Sequence, residues 1–224
     1  MTDFRADPDE LLKALKSETS DKTRGRLKIF FGYAAGVGKT YSMLKSARAA
    51  KRNGVDVVVG YVEPHARPET MALLDGLEML PTKIVSYNNI QLKEFDLDAA
   101  LKRKPKLILV DELAHTNAEG CRHSKRYQDV EELLNAGIDV YTTVNVQHIE
   151  SLNDLVASVT GVLVRERIPD KIFDNADQVE LVDIEPQNLL DRLNEGKIYA
   201  GPQAEKALAN FFNINNLTAL REIA

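Results

Sequence analysis

Residues 32–44, GYAAGVGKTYSML, read as an anion site. Glycines let backbone N–H groups turn toward an anion with no Cβ in the way, and a helix N-terminus adds partial positive charge. Gly32, Ala35, Gly36, Val37 and Gly38 are the loop of such a nest; Lys39 follows with the reach to contact β- and γ-phosphates, and the Thr40 hydroxyl can ligate Mg²⁺. The phosphate-loop pattern is G-x-x-x-x-G-K-[ST]. Here the position five before Gly38 is Tyr33, and the nearest glycine, Gly32, stands one residue early. That departs from the strict pattern but keeps Gly36 to Thr40 between a strand and a helix. A turn that merely packs a helix on a sheet would explain the glycines, but not Lys-Thr at the helix mouth.

A second segment fits the first. In PKLILVDELAHTN, residues 105–117, four apolar residues run into Asp111, whose carboxylate at a strand end would hold the water shell of a Mg²⁺ ion below the phosphates. Glu112 stands where additional-strand P-loop proteins place a residue that polarises the attacking water. Alone, the two acids would read as a solvated strand end. Weaker candidates follow. IDVYTTVNVQH ends in Thr143, Asn145, Gln147 and His148, either a sensor near the γ-phosphate or caps of the next helix. Glu63, His65 and Arg67 end another strand, as a second ligand set, a switch loop or a polar helix start. Arg122, Lys125 and Arg126 read as an internal arginine finger or, more commonly, as a solvated helix face; with His115 and Asn145 the two arginines complete the sensor or switch candidates. The loop 113–127, with Gly120 and mixed polar residues, reads as inexpensive to move between ADP and ATP states. Cys121 and His123 are too few ligands for zinc, and no side-chain metal cluster is expected.

Short β-branched runs alternating with amphipathic helix-length segments must hold these residues: LKIFF, then 40–53, VDVVVGYV, 67–80, KIVSY, 96–103, KLILVD, 123–136, IDVYTTV and 147–159. Such alternation predicts βαβ units around a mainly parallel sheet covered on both faces, hence an α/β three-layer P-loop domain of RecA-like, additional-strand type. Tyr127, Val130, Leu133 and Leu134 recur at helical spacing and read as core. Residues 1–25 read as an N-terminal helical arm (Leu11, Leu12, Ala14, Leu15) and linker, 26–168 as the nucleotide-binding domain, and 169–224 as a strand, QVELVDI, with helices near 186–195, 202–212 and 215–223, packed on the same domain. The last residues, NNLTALREIA, look like a helix without a stop, as in a piece of a longer protein.

Composition excludes several classes. With 224 residues, 44% apolar, and a net charge of −5, the chain is long enough for a proper core and reads as globular. One cysteine excludes an intrachain disulfide and suggests a reducing compartment. The start MTDFRADPDELLKALKSE has no apolar signal region, and no run approaches a membrane span. A pI near 5.5 argues against bulk binding to nucleic acid.

Four segments carry a resemblance: GYAAGVGKTYSML, GYVEPHARPETMALLDGLE, the block from Asp111 to Asp154, and NLTALREIA. Together they resemble the N-terminal cytoplasmic domain of the KdpD family, bacterial potassium- and turgor-responsive sensor histidine kinases, from about Asp7 to the last residue. The family's loop usually carries Pro where this chain has Ala35, a change that removes no phosphate donor. The resemblance implies a regulatory input domain binding ATP or ADP with Mg²⁺, attached to further domains of an inner-membrane sensor kinase. It implies a response-regulator partner reached through a kinase core outside these residues, and control of potassium-uptake genes. The four histidines have no H-box setting and there is no Gly-rich ATP lid, so histidine autokinase chemistry is expected elsewhere, with at most weak ATPase activity here. Two other functions fit the residues: a free-standing RecA-like transferase or small-molecule kinase, and a docking domain in which nucleotide is only structural.

Overall fold

The computed structural model describes residues 24–63, 68–87, 90–195 and 211–224. The expected arm at 1–23, most of the expected helix at 202–212, and His65 and Arg67 lie outside the described residues. The elements run β1 (Leu27–Gly32), α1 (Lys39–Arg52), β2 (Val57–Tyr61), α2 (Pro68–Leu74), β3 (Glu78–Met79), β4 (Lys83–Tyr87), β5 (Ile90–Glu94), α3 (Leu97–Arg103) and β6 (Leu107–Val110). After these come α4 (Arg126–Asn135), β7 (Asp139–Asn145), α5 (Asn153–Thr160), α6 (Asp170–Asp174), β8 (Gln178–Leu181), α7 (Pro186–Asn194) and α8 (Ile214–Ile223).

Six strands pair in the order β3-β2-β6-β7-β1-β8, every pair parallel. Period-two alternation sends Leu27, Ile29 and Phe31 of β1 to one face and Phe30 to the other, and in β6 divides Ile108 and Val110 from Leu107 and Leu109. Each face therefore needs an apolar cover. α1 and α2 supply Met43, Leu44, Ala47 and Leu74 on one side. On the other, Val130, Leu133 and Leu134 of α4, Val156 of α5 and Leu189 and Leu193 of α7 join one continuous core. Tyr127 is packed against it, half-buried. β8, from the C-terminal part of the chain, pairs with β1 (Ile29↔Val179), so that part shares its sheet with the strand that leads into the glycine loop.

Four local expectations change. The helix expected over 67–80 stops at Leu74 because Gly76 turns left-handed (φ 75), and Glu78 and Met79 then pair with β2 as a short edge strand. KIVSY joins no parallel sheet; it pairs antiparallel with β5 in a separate hairpin, Val85↔Leu92. The helix expected from 123 begins at Arg126, since Asn117 N donates to Ser124 O and holds that stretch as a loop. The helix expected from 147 is preceded by two 3₁₀ turns, 146–148 and 150–152, because Ile149 is extended and bridges Ile168.

The loop after β6 is fastened to α4 by a buried polar pair: Asn117 Nδ2 donates to Asp129 Oδ2 at 2.6 Å. Burial pushes the Asp129 carboxyl up to about 6, against the hydrogen bond from Asn117 and the charges of His123 and Arg126. The folded state thus holds that proton more tightly than the unfolded chain. Its stabilising contribution is complete below the unfolded value of 3.8 and is lost as pH rises through about 6. Asp129→Asn is therefore expected to gain stability over the wild type, by on the order of 2–3 kcal/mol, between about pH 4 and about pH 7. Urea titrations of both proteins at several pH values check this; a pH-independent difference would refute it.

Candidate functional site

The register Leu27↔Val140 through Gly32↔Asn145, with Leu109↔Tyr141 on the next strand, brings the C-terminal ends of β1, β7 and β6 side by side. Ligand sites of parallel sheets lie at this edge. One cleft opens there, lined by Ala35, Gly36, Gly38, Lys39 and Thr40 from the loop, and by Asp111, Glu112, Thr143 and Asn145 from the strand ends.

Gly36 and Gly38 have φ of 91° and 109°, a region nearly closed to residues with a side chain. Gly38 caps α1 with no side-chain hydrogen bond, and no acid stands in the first helical turn. Lys39 folds back so that Nζ donates to Ala34 O at 2.9 Å. Gly32 and Val37 do not line the cleft. A Cβ on Gly32 would meet Val37 Cγ2 at 2.7 Å and Lys39 Cδ at 3.2 Å, so this early glycine lets the loop fold down on the strand end, and Val37 is the buried plug.

Asp111 is 1% exposed. It accepts from Thr40 Oγ1 at 3.0 Å, Thr143 Oγ1 at 2.5 Å and Glu112 N at 3.2 Å. Two residues distant in sequence, Thr40 and Thr143, thus converge with the neighbouring peptide on one carboxylate. Asn145 reaches the cleft with Oδ1 buried and unpartnered among the described residues. His148 also lines it; Nδ1 donates to Glu166 O at 2.8 Å, and burial lowers its pKa, leaving a neutral ring.

The remaining expected residues divide. His115 lines the cleft, with Nε2 3.1 Å from Glu94 Oε2. Arg122 points elsewhere, to Asp98 and Glu132. Arg126 is on no solvated face: it is 0% exposed, stacks 4.2 Å from the Tyr61 ring, and donates to Glu94 Oε2 at 3.1 Å and to the Asp111 carbonyl at 3.2 Å. Burial pushes the Glu94 carboxyl up, but hydrogen bonds from His115 and Ala118 N and the Arg126 charge outweigh it, so it lies below its ordinary value. The loop is consequently well braced, by Glu94, by Asp129 and by Lys125 Nζ on Thr116 Oγ1 at 2.7 Å, contrary to the expectation that it moves at little cost. Sequence reasoning missed Tyr41, Thr70 and Glu166 in the lining. Among the described residues, no group of three or more His, Cys, Asp or Glu could hold a metal ion by itself.

A family model described as "Osmosensitive K+ channel His kinase sensor domain" matches residues 23–224. A sensor protein KdpD from Clostridium acetobutylicum is 62% identical over 98% of this chain. The chain belongs to the KdpD sensor-domain family. The Escherichia coli K12 sensor protein KdpD is 58% identical over 99% of the chain, which spans about a quarter of the length (24%) of each of these two relatives. A putative sensor protein KdpD from Synechocystis is 54% identical over 90% of the chain and 54% of its own length. A crystal structure of a DNA replication initiation factor aligns over 97% of this chain and 61% of its own, with 11% identity and a TM-score of 0.37, too loose to carry a fold relation.

In this KdpD-family domain Glu112 is one of two non-glycine residues with positive φ among the described residues, at 59°. The conformation ends β6 abruptly: Leu113 N donates to Thr143 O, and His115 N to Glu112 O, both at 3.0 Å. Burial first, and the adjacent Asp111 second, raise the Glu112 pKa. A left-handed L-residue costs about 1–2 kcal/mol, part of which glycine returns as unfolded-state entropy. Glu112→Gly is therefore expected to stabilise the fold by about 0.5–1 kcal/mol. Chemical denaturation measures it, and a loss of stability would mean the carboxyl contributes more than the backbone strain removes.

Proposed function

We propose that this chain is a regulatory nucleotide-binding input domain of a KdpD-type sensor histidine kinase, built as a P-loop module that takes ATP or ADP with Mg²⁺. The observation that carries the reading is the meeting of Thr40 Oγ1 and Asp111 Oδ2 at 3.0 Å, at the mouth of a loop whose Gly36 and Gly38 are left-handed. Supporting it, one strand, β7, stands between β1 and β6, the order of additional-strand P-loop proteins. The donor set fits the group: backbone amides and Lys39 for phosphate, Thr40 and Asp111 for a hard, oxygen-seeking cation and its waters, and a buried orphan oxygen on Asn145 facing the same space.

Residues 35–40 would bind the polyphosphate, and Lys39 would exchange the Ala34 carbonyl for an anion. Bound Mg²⁺ would supply charge neutralisation at the phosphates. Glu112, with its raised pKa, would orient a water and accept its proton. His115, His123 and His148 are each engaged with Glu94, Glu132 or the Glu166 carbonyl, in keeping with histidine phosphorylation elsewhere in the parent protein. A potassium-related stimulus follows the family description, and a response-regulator partner, an inner-membrane anchor and control of potassium-uptake genes follow the resemblance. Among the described residues no helix is long and apolar enough to cross a membrane.

Lys39→Ala removes a charge-assisted contact of about 1.5–3 kcal/mol, and MgATP affinity measured by calorimetry is expected to fall about 10- to 100-fold. Unchanged affinity would rule out the loop as the site. Glu112→Gln is expected to keep nucleotide affinity and to slow any ATP hydrolysis by roughly 100-fold. Equal turnover in a steady-state phosphate-release assay would reduce Glu112 to a strand-end acid.

A further inference from the structure

The phosphate loop has a second neighbour, on the side away from Asp111. The stretch between β8 and α7 is tied to it: Val182 N donates to Phe31 O at 2.7 Å, and Tyr33 Oη to Ile184 O at 3.0 Å. α7 is then fixed in place by Leu189 and Leu193, both fully buried. On that anchored helix Arg192 brings Nη1 to 3.5 Å from the carbonyl oxygen of Gly36, the outer limit of a hydrogen bond. Arg192 is exposed, and among the described residues it has no carboxylate partner. Nearby Arg221, by contrast, is taken by Asp183 and Glu185.

The cleft is short of positive charge. Among the described residues lining it, Glu63, Asp111, Glu112 and Glu166 face a single lysine, Lys39; His148 is neutral, and His115 is turned to Glu94. A polyphosphate drawn into such a site favours any cation that can reach it. A guanidinium resting on a peptide carbonyl at 3.5 Å gives up little by leaving. Arginine to phosphate is charge-assisted and often bidentate, hence much stronger.

We infer that Arg192 is a phosphate-contacting residue of the nucleotide site, its side chain swinging from the Gly36 carbonyl to the bound anion while α7 stays anchored. The inference rests on the nucleotide-binding reading above. It assigns a binding role to a residue 156 positions from the loop, in a helix with no motif of its own.

MgATP titrations on the 224-residue chain and its variants, at low and high salt, separate the two ideas. Arg192→Ala is expected to weaken binding about 5- to 20-fold and Arg192→Lys less, as for an exposed charge-assisted contact. The salt dependence of affinity should be shallower in Arg192→Ala than in the wild type, a change that a packing role would not produce. Where Ala lowers the melting temperature, Arg192→Gln serves instead, with the same loss expected. Wild-type affinity in the Arg192 variants, with binding impaired by Lys39→Ala, overturns the role of Arg192 and leaves the loop as the site. Wild-type affinity in Lys39→Ala removes the nucleotide reading and Arg192 with it.

Discussion

A carboxylate nearly sealed from water sets the terms for this fold. Burying such a group is expensive unless donors meet it, and Asp111 finds three, on α1, on β7 and on the next peptide of its own chain. None of the three can be supplied locally in sequence except the last. Thr143 reaches Asp111 because β7 pairs beside β6, and Thr40 reaches it because β1 pairs on the far side of β7. A slip of one residue in either pairing would turn Thr143 or the strand's apolar residues to the wrong face and leave the carboxylate unmatched. The polar centre therefore reinforces the register that the apolar alternation specifies.

The two walls of the cleft are held differently. Behind Asp111 and Glu112 the bracing is dense: Arg126 joins the Asp111 carbonyl to Glu94 and the Tyr61 ring, and Glu94 also accepts from His115 and Ala118 N. Removing one partner of so buried a pair leaves the other charge without compensation, so this wall resists displacement. The strand end and the glycine loop after it are tied instead to Val182 and Ile184, in a segment whose further support includes Arg221 on Asp183 and Glu185. Those ion pairs are about one-third exposed or more and contribute little each.

What could be read from sequence was what local chemistry encodes. The glycines, Lys39 and Thr40 are contiguous, and Asp111 ends an unmistakable apolar strand, so the loop and the two acids were legible together with the alternation of strands and helices. Glu94, Glu166 and Arg192 were not, because their partners lie 32, 50 and 156 residues away and nothing in their own neighbourhoods marks them. The solvated-face alternative for Arg126 fails for a related reason: an arginine opening an amphipathic helix is usually solvated, and here a buried Glu94, the Asp111 carbonyl and a tyrosine face make burial tolerable. The β4–β5 hairpin had a readable signal, the turn pair Asn88-Asn89 followed by the alternation Ile90, Gln91, Leu92, Lys93, overshadowed by the expectation of a continuous βαβ series.

This asymmetry has a mechanical consequence. A bound ligand shifts only those elements with which its contacts differ between states. Contacts made at Asp111 meet a wall braced by that polar network and by the packed helix residues Val130, Leu133 and Leu134. Contacts made at Gly36 to Lys39 meet a loop hydrogen-bonded through Tyr33 to Ile184, just before α7 begins. Displacement of that loop must strain the Tyr33 bond or carry Ile184 with it, and Ile184 is followed within two residues by a helix packed on α8. The less braced wall and the path toward the C-terminal helices are therefore the same set of residues, which couples the glycine loop to the β8–α7 junction more directly than to the braced loop after β6.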